Sequence, residues 1–388
     1  MYRETGNYTD SSKNFSIASS INIFAFKTYS ILSNESGNLF FSPFSVHAAL
    51  SMMVEGANGN TREEMDNVLA LSTDSSTRQQ GYKKLLNNLN AKNSNYNLSI
   101  ANAIWIEKTY SVKPEFSSVL STYYDTTAFK ADFARYPDAE RVNINRWVEG
   151  KTNNKILNLI PEGNVDSLTR LVIADAIYFK GKWSQIFEKQ YTQDAPFFVS
   201  SSRNVTVPLM YQSAWMGYYS DNELKALEMD YEGYNLSMLI LLPDSNHSLS
   251  EVESELSSDQ INSIRSHIVN NEVHIWIPRF GMTRFEKMRD LLIELGMTSA
   301  FDTSTADFTG INSAKELFIS DVFHKTFINV NEFGTEAAAA TAVIAPSAVP
   351  PSYVKEFRAD HPFLFFIIDK QSGVILFMGR MVDPSSGN

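Results

Sequence analysis

Residues 331–351 read NEFGTEAAAATAVIAPSAVPP, and this stretch decides how the whole chain is interpreted. In steps of two from Thr335 to Ala345 every residue is small and uncharged, while Glu336 lies on the opposite face of an extended segment. Such a strip can enter a packed sheet without opening cavities or burying charge. Alanine nevertheless disfavours β structure, and Pro346 lacks the N–H that a central strand needs. The pattern predicts a segment that lies outside a sheet in one state and inside it in another, with insertion ending near Pro346.

Helix propensity leaves a second interpretation of the same segment open. The four alanines from Ala337 to Ala340 favour a short helix, and Pro346, Pro350 and Pro351 then belong to a surface loop. Propensity alone does not decide between a loop of this kind and an inserting strand.

Composition excludes several classes of protein. The 388 residues contain 33 Lys and Arg against 44 Asp and Glu, a net charge of −11, which argues against nucleic acid and anionic membranes as partners. There is no cysteine, so disulfides, thiolate nucleophiles and cysteine-based metal sites are excluded. No apolar run approaches the ~20 residues of a membrane span, and residues 1–14 lack the apolar core of a signal peptide. We predict polar tails at 1–14 and 385–388 around one domain at 15–384.

The order of local patterns predicts an α+β fold. Helical periodicity is found at 15–32, 138–153 and 284–295, whereas 97–106 and 171–180 have the β-branched and aromatic composition of strands. Helices come mainly first and strands later, without regular βαβ alternation.

Motifs for catalysis, metals and cofactors are absent from the sequence. There is no G-x-S-x-G, H-E-x-x-H or phosphate-binding loop, and the six histidines are scattered without close pairing. Lys83 and Lys84 form a lone basic pair that is typical of a solvated helix face, so no strong heparin-type site is predicted. We therefore expect a protein that is not an enzyme and needs no metal or cofactor.

Several motifs together resemble the serpin family of serine protease inhibitors. Residues 334–342 (GTEAAAATA) are similar to the hinge of inhibitory serpins, and 357–367 (FRADHPFLFFI) to the family's C-terminal signature. Three further stretches follow in serpin order: 38–45 (NLFFSPFS), 178–183 (YFKGKW), and 277–280 (IPRF) followed by LGM at 295–297. The resemblance covers roughly 15–384.

The resemblance implies a single serpin domain with three β-sheets, eight or nine helices and an exposed reactive-centre loop at about 332–355. It also implies a suicide-substrate inhibitor: a serine protease cleaves the loop, and the freed hinge inserts into the main sheet and traps the covalent acyl complex. A non-inhibitory carrier, chaperone or storage protein of the same fold is the alternative. The implied partner is a serine protease bound by a monomer, and the resemblance favours an extracellular location without fixing it.

The hinge and the scissile bond are assigned by matching this sequence to the family's motifs. The reactive bond falls between Ala348 and Val349, after the subsite residues Ala345, Pro346 and Ser347. These small side chains suit an elastase-like or subtilisin-like protease. The implied hinge consists of Glu332, Gly334, Thr335, Glu336, Ala337, Ala338, Ala339, Ala340 and Thr341.

Two further groups of residues are implied to control opening of the sheet. Trp183 and Arg279 lie where the sheet opens first, and Arg279 is expected to meet Glu332. A central polar cluster is formed by Ser42, Ser45, Asp175 and His324. Asp175 departs from the family pattern, which generally has asparagine here, and we expect an Asp175–His324 charge pair.

Overall fold

The computed structural model describes residues 16–90, 96–336 and 354–386, which include nine α-helices. They are α1 Ile17–Leu32, α2 Pro43–Val54, α3 Gly59–Val68, α4 Ser75–Asn90, α5 Pro114–Tyr123, α6 Pro137–Lys151, α7 Leu249–Glu255, α8 Ser258–His267 and α9 Arg289–Glu294. None of the described helices is long and apolar enough to cross a membrane.

Fifteen strands are described over the same residues. They are β1 Leu39–Phe41, β2 Tyr96–Glu107, β3 Ala128–Ala131, β4 Leu171–Lys182, β5 Gln193–Ser200, β6 Arg203–Ser220, β7 Leu224–Asp230, β8 Leu236–Pro243, β9 Val269–Pro278, β10 Phe280–Lys287, β11 Asp321–Asn331, β12 Gly334–Thr335, β13 Lys355–Arg358, β14 Phe363–Asp369 and β15 Ile375–Met381.

The strands form one six-stranded sheet and one nine-stranded ladder. The six-stranded sheet has the order β10-β11-β12-β4-β2-β3, with β11 also paired directly to β4. The ladder contains two sheets that share the 18-residue strand β6. The first part of β6 pairs with β5 and then with β9, which pairs on its other side with β13. The last residues of β6 lead through β7 and β8 to β14, β15 and β1. The α+β fold expected from the sequence is thus confirmed, with its helices and three sheets.

Side-chain alternation on β4 divides the core into two parts. Ile173 and Ile177 face the main core, which also contains α1, α2 and the nine-stranded ladder. Ala174 and Ala176 face a smaller core beneath α6. Because both faces of β4 are covered, its sequence reads as a nearly continuous apolar run. The single acidic residue of this strand, Asp175, is fully buried.

Local signals explain some of the element boundaries. The Ser42 hydroxyl accepts a hydrogen bond from the Ser45 amide at 3.1 Å and so caps α2, which begins with a proline. Gly373, with φ of +75°, closes the turn between β14 and β15.

One helix boundary is corrected by the structure, which also describes part of the predicted C-terminal tail. The helix predicted at 284–295 is wrong in its first part, because 284–287 belong to β10, whose eight residues all pair with β11; only α9 is helical. Ser385 and Ser386, assigned to a C-terminal tail, form a short 3-10 turn with Pro384. The predicted tail at 1–14 lies outside the described residues.

Candidate functional site

The two-residue strand β12 lies between β11 and β4 at one end of the six-stranded sheet. Thr335 pairs with Val330 on β11 and with Gly181 on β4, and β12 runs antiparallel to both neighbours. Farther along, β11 and β4 pair directly as parallel strands from Asp321 opposite Val172 to Phe327 opposite Tyr178. The sheet is therefore already open at one end and closed along the rest of this β4–β11 seam.

Gly334 is required by a close approach of two backbones. A Cβ atom at this position would lie 2.0 Å from the carbonyl oxygen of Gly181, and the φ angle of Gly334 is +143°. Any side chain would collide with β4, and the backbone conformation itself favours glycine. The hinge glycine predicted from the motif is thus a packing requirement.

Thr335 is completely buried in the same opening. Its Oγ1 lies 2.7 Å from the Tyr231 hydroxyl, and the Tyr231 ring stacks on Trp183 with centroids 4.6 Å apart. The Trp183 amide donates to the Phe333 carbonyl at 2.9 Å, and its indole N–H donates to the Asn331 carbonyl at 3.0 Å. Trp183 thereby holds the turn that leads into β12, and its role in opening the sheet stays a prediction.

Glu332 is anchored beside this turn. Its side chain is 2% exposed and accepts hydrogen bonds from Arg279 and, at 2.6 Å, from the Thr192 hydroxyl. Burial raises the pKa of the Glu332 carboxyl, but the hydrogen bonds from Arg279 and Thr192 outweigh burial and hold it below its usual value. The contact between Glu332 and Arg279 predicted from the sequence is confirmed.

The strand geometry ends at Glu336. Its φ of +50° turns the chain out of the β conformation, while its amide donates to the Asn329 carbonyl at 2.7 Å. Its carboxylate forms an ion pair with Lys155, in the segment after α6. The remaining hinge residues, Ala337–Thr341, and the residues around the scissile bond (Ala345, Pro346, Ser347, Ala348 and Val349) lie outside the described residues.

The central polar cluster lies midway along the seam. His324 on β11 and Asp175 on β4 are partners in the parallel register, with Nδ1 2.8 Å from the Asp175 carboxyl. Ser42 donates its amide to Nε2 of His324 at 3.1 Å, and the Ser45 hydroxyl contacts the other Asp175 oxygen. All four predicted residues meet. The contact expected between Asp175 and His324 is thus present, and the charge on the pair stays a prediction.

The sequence missed several residues that complete the site. Tyr231, Thr192, Lys155 and Asn102 reach it from segments that no local motif connects to the hinge. Asn102 on β2 donates to the Ser45 carbonyl at 2.9 Å. The predicted basic pair, Lys83 and Lys84, is exposed on α4. No group of three or more His, Asp or Glu suited to a metal ion is found in the described ranges.

Comparisons with known proteins agree with this geometry. The family model for serpins (serine protease inhibitors) matches residues 19–384. A serpin-like protein of Methanosarcina acetivorans is 38% identical over 97% of this chain and 88% of its own. The leukocyte elastase inhibitor of Bos taurus is 41% identical over 90% of this chain and 94% of its own. The crystal structure of uncleaved ovalbumin superposes with a TM-score of 0.89 at 30% identity, covering 95% of this chain and all of that one. The chain belongs to the serpin family.

Proposed function

We propose that this serpin is a suicide-substrate inhibitor of serine proteases. The observation that carries the proposal is the position of Gly334 and Thr335, which are paired between β4 and β11 in the intact chain. The residues that follow in the sequence are small and uncharged on the face of Thr335. A strand that has begun to enter the sheet, followed by residues able to continue, is what a trapping mechanism requires.

The proposed reaction begins as ordinary proteolysis. The protease serine attacks the Ala348 carbonyl, the Ala348–Val349 bond breaks, the new amino group of Val349 leaves, and Ala348 is held as an ester. The released hinge then inserts between β4 and β11 and carries the protease with it. Hydrolysis of the ester stalls when the oxyanion hole and catalytic triad are distorted.

The strand register supports insertion as far as the central cluster. Extending the pairing of Thr335 with Gly181 and Val330 by six residues would bring Thr341 opposite both Asp175 and His324. The side chain of Thr341 would then lie on the same face of the sheet as those of Asp175 and His324, because residues directly opposite each other on paired strands point to the same face. The Thr341 hydroxyl would thus lie where insertion separates Asp175 from His324. In the same register Ala337 would lie opposite Phe179 and Ala339 opposite Ile177.

Insertion of about ten residues, at ~1 kcal/mol per net hydrogen bond, would release on the order of 10 kcal/mol. This equals the stability of a whole domain, so the intact state would persist for kinetic reasons.

The proposed targets are elastase-like or subtilisin-like proteases, bound by the monomeric chain. Residues 345–348 (APSA) offer a small side chain to a shallow specificity pocket, and cleavage after Val349 would place Pro350 next to the bond. Two mammalian relatives named leukocyte elastase inhibitor, 41% and 38% identical to this chain, are consistent with this choice.

The deciding experiment mixes the purified chain with pancreatic elastase, subtilisin, chymotrypsin and trypsin. We expect an adduct stable to denaturing electrophoresis with elastase or subtilisin, and a released peptide that begins at Val349 by mass spectrometry. The matched variant Ala348→Arg should move adduct formation towards trypsin. Cleavage of the loop without any adduct would support the non-inhibitory carrier or storage function instead.

A further inference from the structure

Glu336 is the one charged residue in the segment that is proposed to insert. From Gly334 to Pro351 every other side chain is uncharged, and the Glu336 side chain is 14% exposed in the intact chain. A carboxylate that is largely removed from water is costly unless a cation or hydrogen-bond donors accompany it. The charge of Glu336 therefore needs a partner both in the intact chain and in the inserted strand.

In the intact chain the partner is Lys155, whose ammonium group forms an ion pair with the Glu336 carboxylate. Lys155 lies in the turn that follows α6. Asn153 and Asn154 in this turn have φ angles of +52° and +57°, a conformation that asparagine adopts more readily than most residues. The Lys155 amide donates to the Thr152 carbonyl at 2.9 Å and fixes the backbone at the base of the side chain. The ion pair therefore connects the start of the hinge to a defined turn outside the sheet.

The backbone of Glu336 shows how this ion pair opposes insertion. Its amide already donates to the Asn329 carbonyl on β11 at 2.7 Å, but its φ of +50° turns the chain out of the sheet. An inserted strand requires a negative φ at this residue, and that rotation swings the side chain away from its present position. The Tyr178 phenol on β4 marks that position, because burial raises its pKa and the neighbouring Glu336 carboxylate raises it further. The contact with Lys155 must therefore break as the strand extends.

The register of β12 places a second lysine where the carboxylate goes. Thr335 pairs with Gly181, so an extended Glu336 would lie directly opposite Lys180 on β4. Side chains in such pairs point to the same face, with Cβ atoms about 4.5–5.5 Å apart. Lys180 is exposed and has no ion pair among the residues that the structure describes. Asn329, which would lie opposite Glu336 on β11, is also exposed, so the carboxylate would keep access to water.

We propose that Glu336 exchanges Lys155 for Lys180 as the hinge inserts. The Glu336–Lys155 latch, the ion pair of the intact chain, holds the hinge in its turned-out conformation, and Lys180 then pairs with the same charge in the extended strand. The inference rests on the proposed function, because Lys180 becomes a partner only when the strand enters the sheet. It also explains why a segment of small residues tolerates a glutamate at this position. Partly exposed ion pairs contribute about two- to fivefold to an equilibrium constant, so the latch is a modest restraint.

A double-mutant cycle on the full, intact chain tests the latch. The cycle combines Glu336→Gln with Lys155→Ala, and the unfolding constant of each protein is measured in urea at pH 7. We expect each single variant to unfold about two- to fivefold more readily, and the double variant to unfold no more readily than either. Lys151→Ala is the matched control, because its ammonium group lies over the Trp147 ring, 5.9 Å from the centroid, and its effect should add to that of Glu336→Gln. Additive effects of Lys155→Ala and Glu336→Gln would overturn the latch.

The same cycle on chain cleaved within the loop tests the exchange. Limited proteolysis with papain, with mass spectrometry to select chains cut between residues 342 and 353, lets the freed segment insert without a trapped serine protease. In this form, unfolded in guanidinium chloride, Glu336→Gln should couple to Lys180→Ala and no longer to Lys155→Ala, whereas in the intact chain Lys180→Ala should be additive. Coupling that stays with Lys155 after cleavage would overturn the exchange. Failure of the proposed function looks different, because the cleaved wild type would then gain no thermal stability over the intact chain, whatever the intact-chain cycle shows.

Discussion

Thr335→Arg should convert the proposed inhibitor into a substrate. In the intact chain Thr335 is completely buried and its hydroxyl lies 2.7 Å from that of Tyr231, with the Trp183 ring stacked behind. This surrounding is aromatic, and the hydroxyl of Tyr231 cannot balance a guanidinium charge. Before cleavage an arginine can leave the sheet for solvent, but trapping requires it to enter with the strand.

The size of the effect follows from the cost of burying that charge. An unpaired ion taken into a protein interior costs several kcal/mol, and each ~1.4 kcal/mol in a barrier is a factor of ten in rate. A penalty of about 4 kcal/mol at the first inserted residue slows insertion by roughly a thousandfold. Hydrolysis of the acyl-enzyme then completes before the protease is trapped.

The assay is the stoichiometry of inhibition of pancreatic elastase, with denaturing gels to separate adduct from cleaved chain. Thr335→Arg should be cut at the same bond as the wild type and give little adduct. Thr335→Val is the matched control, because it removes only the hydroxyl, and the unpaired Tyr231 hydroxyl costs about 1–3 kcal/mol both before and after insertion. If Thr335→Arg traps elastase at the wild-type stoichiometry, insertion of this residue is not part of the mechanism.

Two further predictions concern stability. Glu332→Ala should lower the free energy of unfolding at pH 7 by about 2 kcal/mol, since it removes a charge-assisted contact with Arg279. The pKa of Glu332 is lowered in the fold, so its contribution is present above about pH 4.3 and fades as pH falls further, and urea titrations of both proteins at pH 7 and pH 3.5 should show the difference shrinking. Burial lowers the pKa of His47 to about 4, and its Nε2 lies 2.8 Å from the Leu69 carbonyl. The neutral form therefore stabilises the fold fully above about pH 6.5, and the free energy of unfolding falls by about 3 kcal/mol as pH falls from 6.5 to 4. The melting temperature of His47→Gln should depend less steeply on pH in this window than that of the wild type. Equal slopes for the two proteins would exclude His47 as the source.

The fold was predictable because its signals are local. The run of small residues after Gly334, the Ser42-Pro43 helix start and the apolar strand at 171–180 each act through short-range sequence patterns. The error at 284–287 has a physical cause as well. Phe285 and its polar neighbours fit a helical period, but pairing with β11 along all eight residues of β10 overrides that local preference.

The site was only partly predictable, because its partners come together through tertiary structure. The contact of Glu332 with Arg279 was expected from the family motif, whereas the bond from Thr192 to the same carboxylate depends on how β5 approaches the hinge. Asn102 was missed for a related reason, because its hydrogen bond to the Ser45 carbonyl depends on how β2 packs against α2.

The seam geometry separates the start of the proposed insertion from its progress. At the open end, a new strand in this register displaces no β4–β11 pairing until residue 338 comes opposite Tyr178 and Phe327, so the start depends on burying Thr335 and the two residues after it. Farther along, each step exchanges one β4–β11 pairing for two pairings with the new strand, and backbone groups need not remain unpaired. The costly step is at Asp175 and His324, where a buried side-chain bond must also break. Substitutions at Thr335 should therefore change whether insertion begins, and substitutions at Asp175 should change how fast the sheet opens once it has begun.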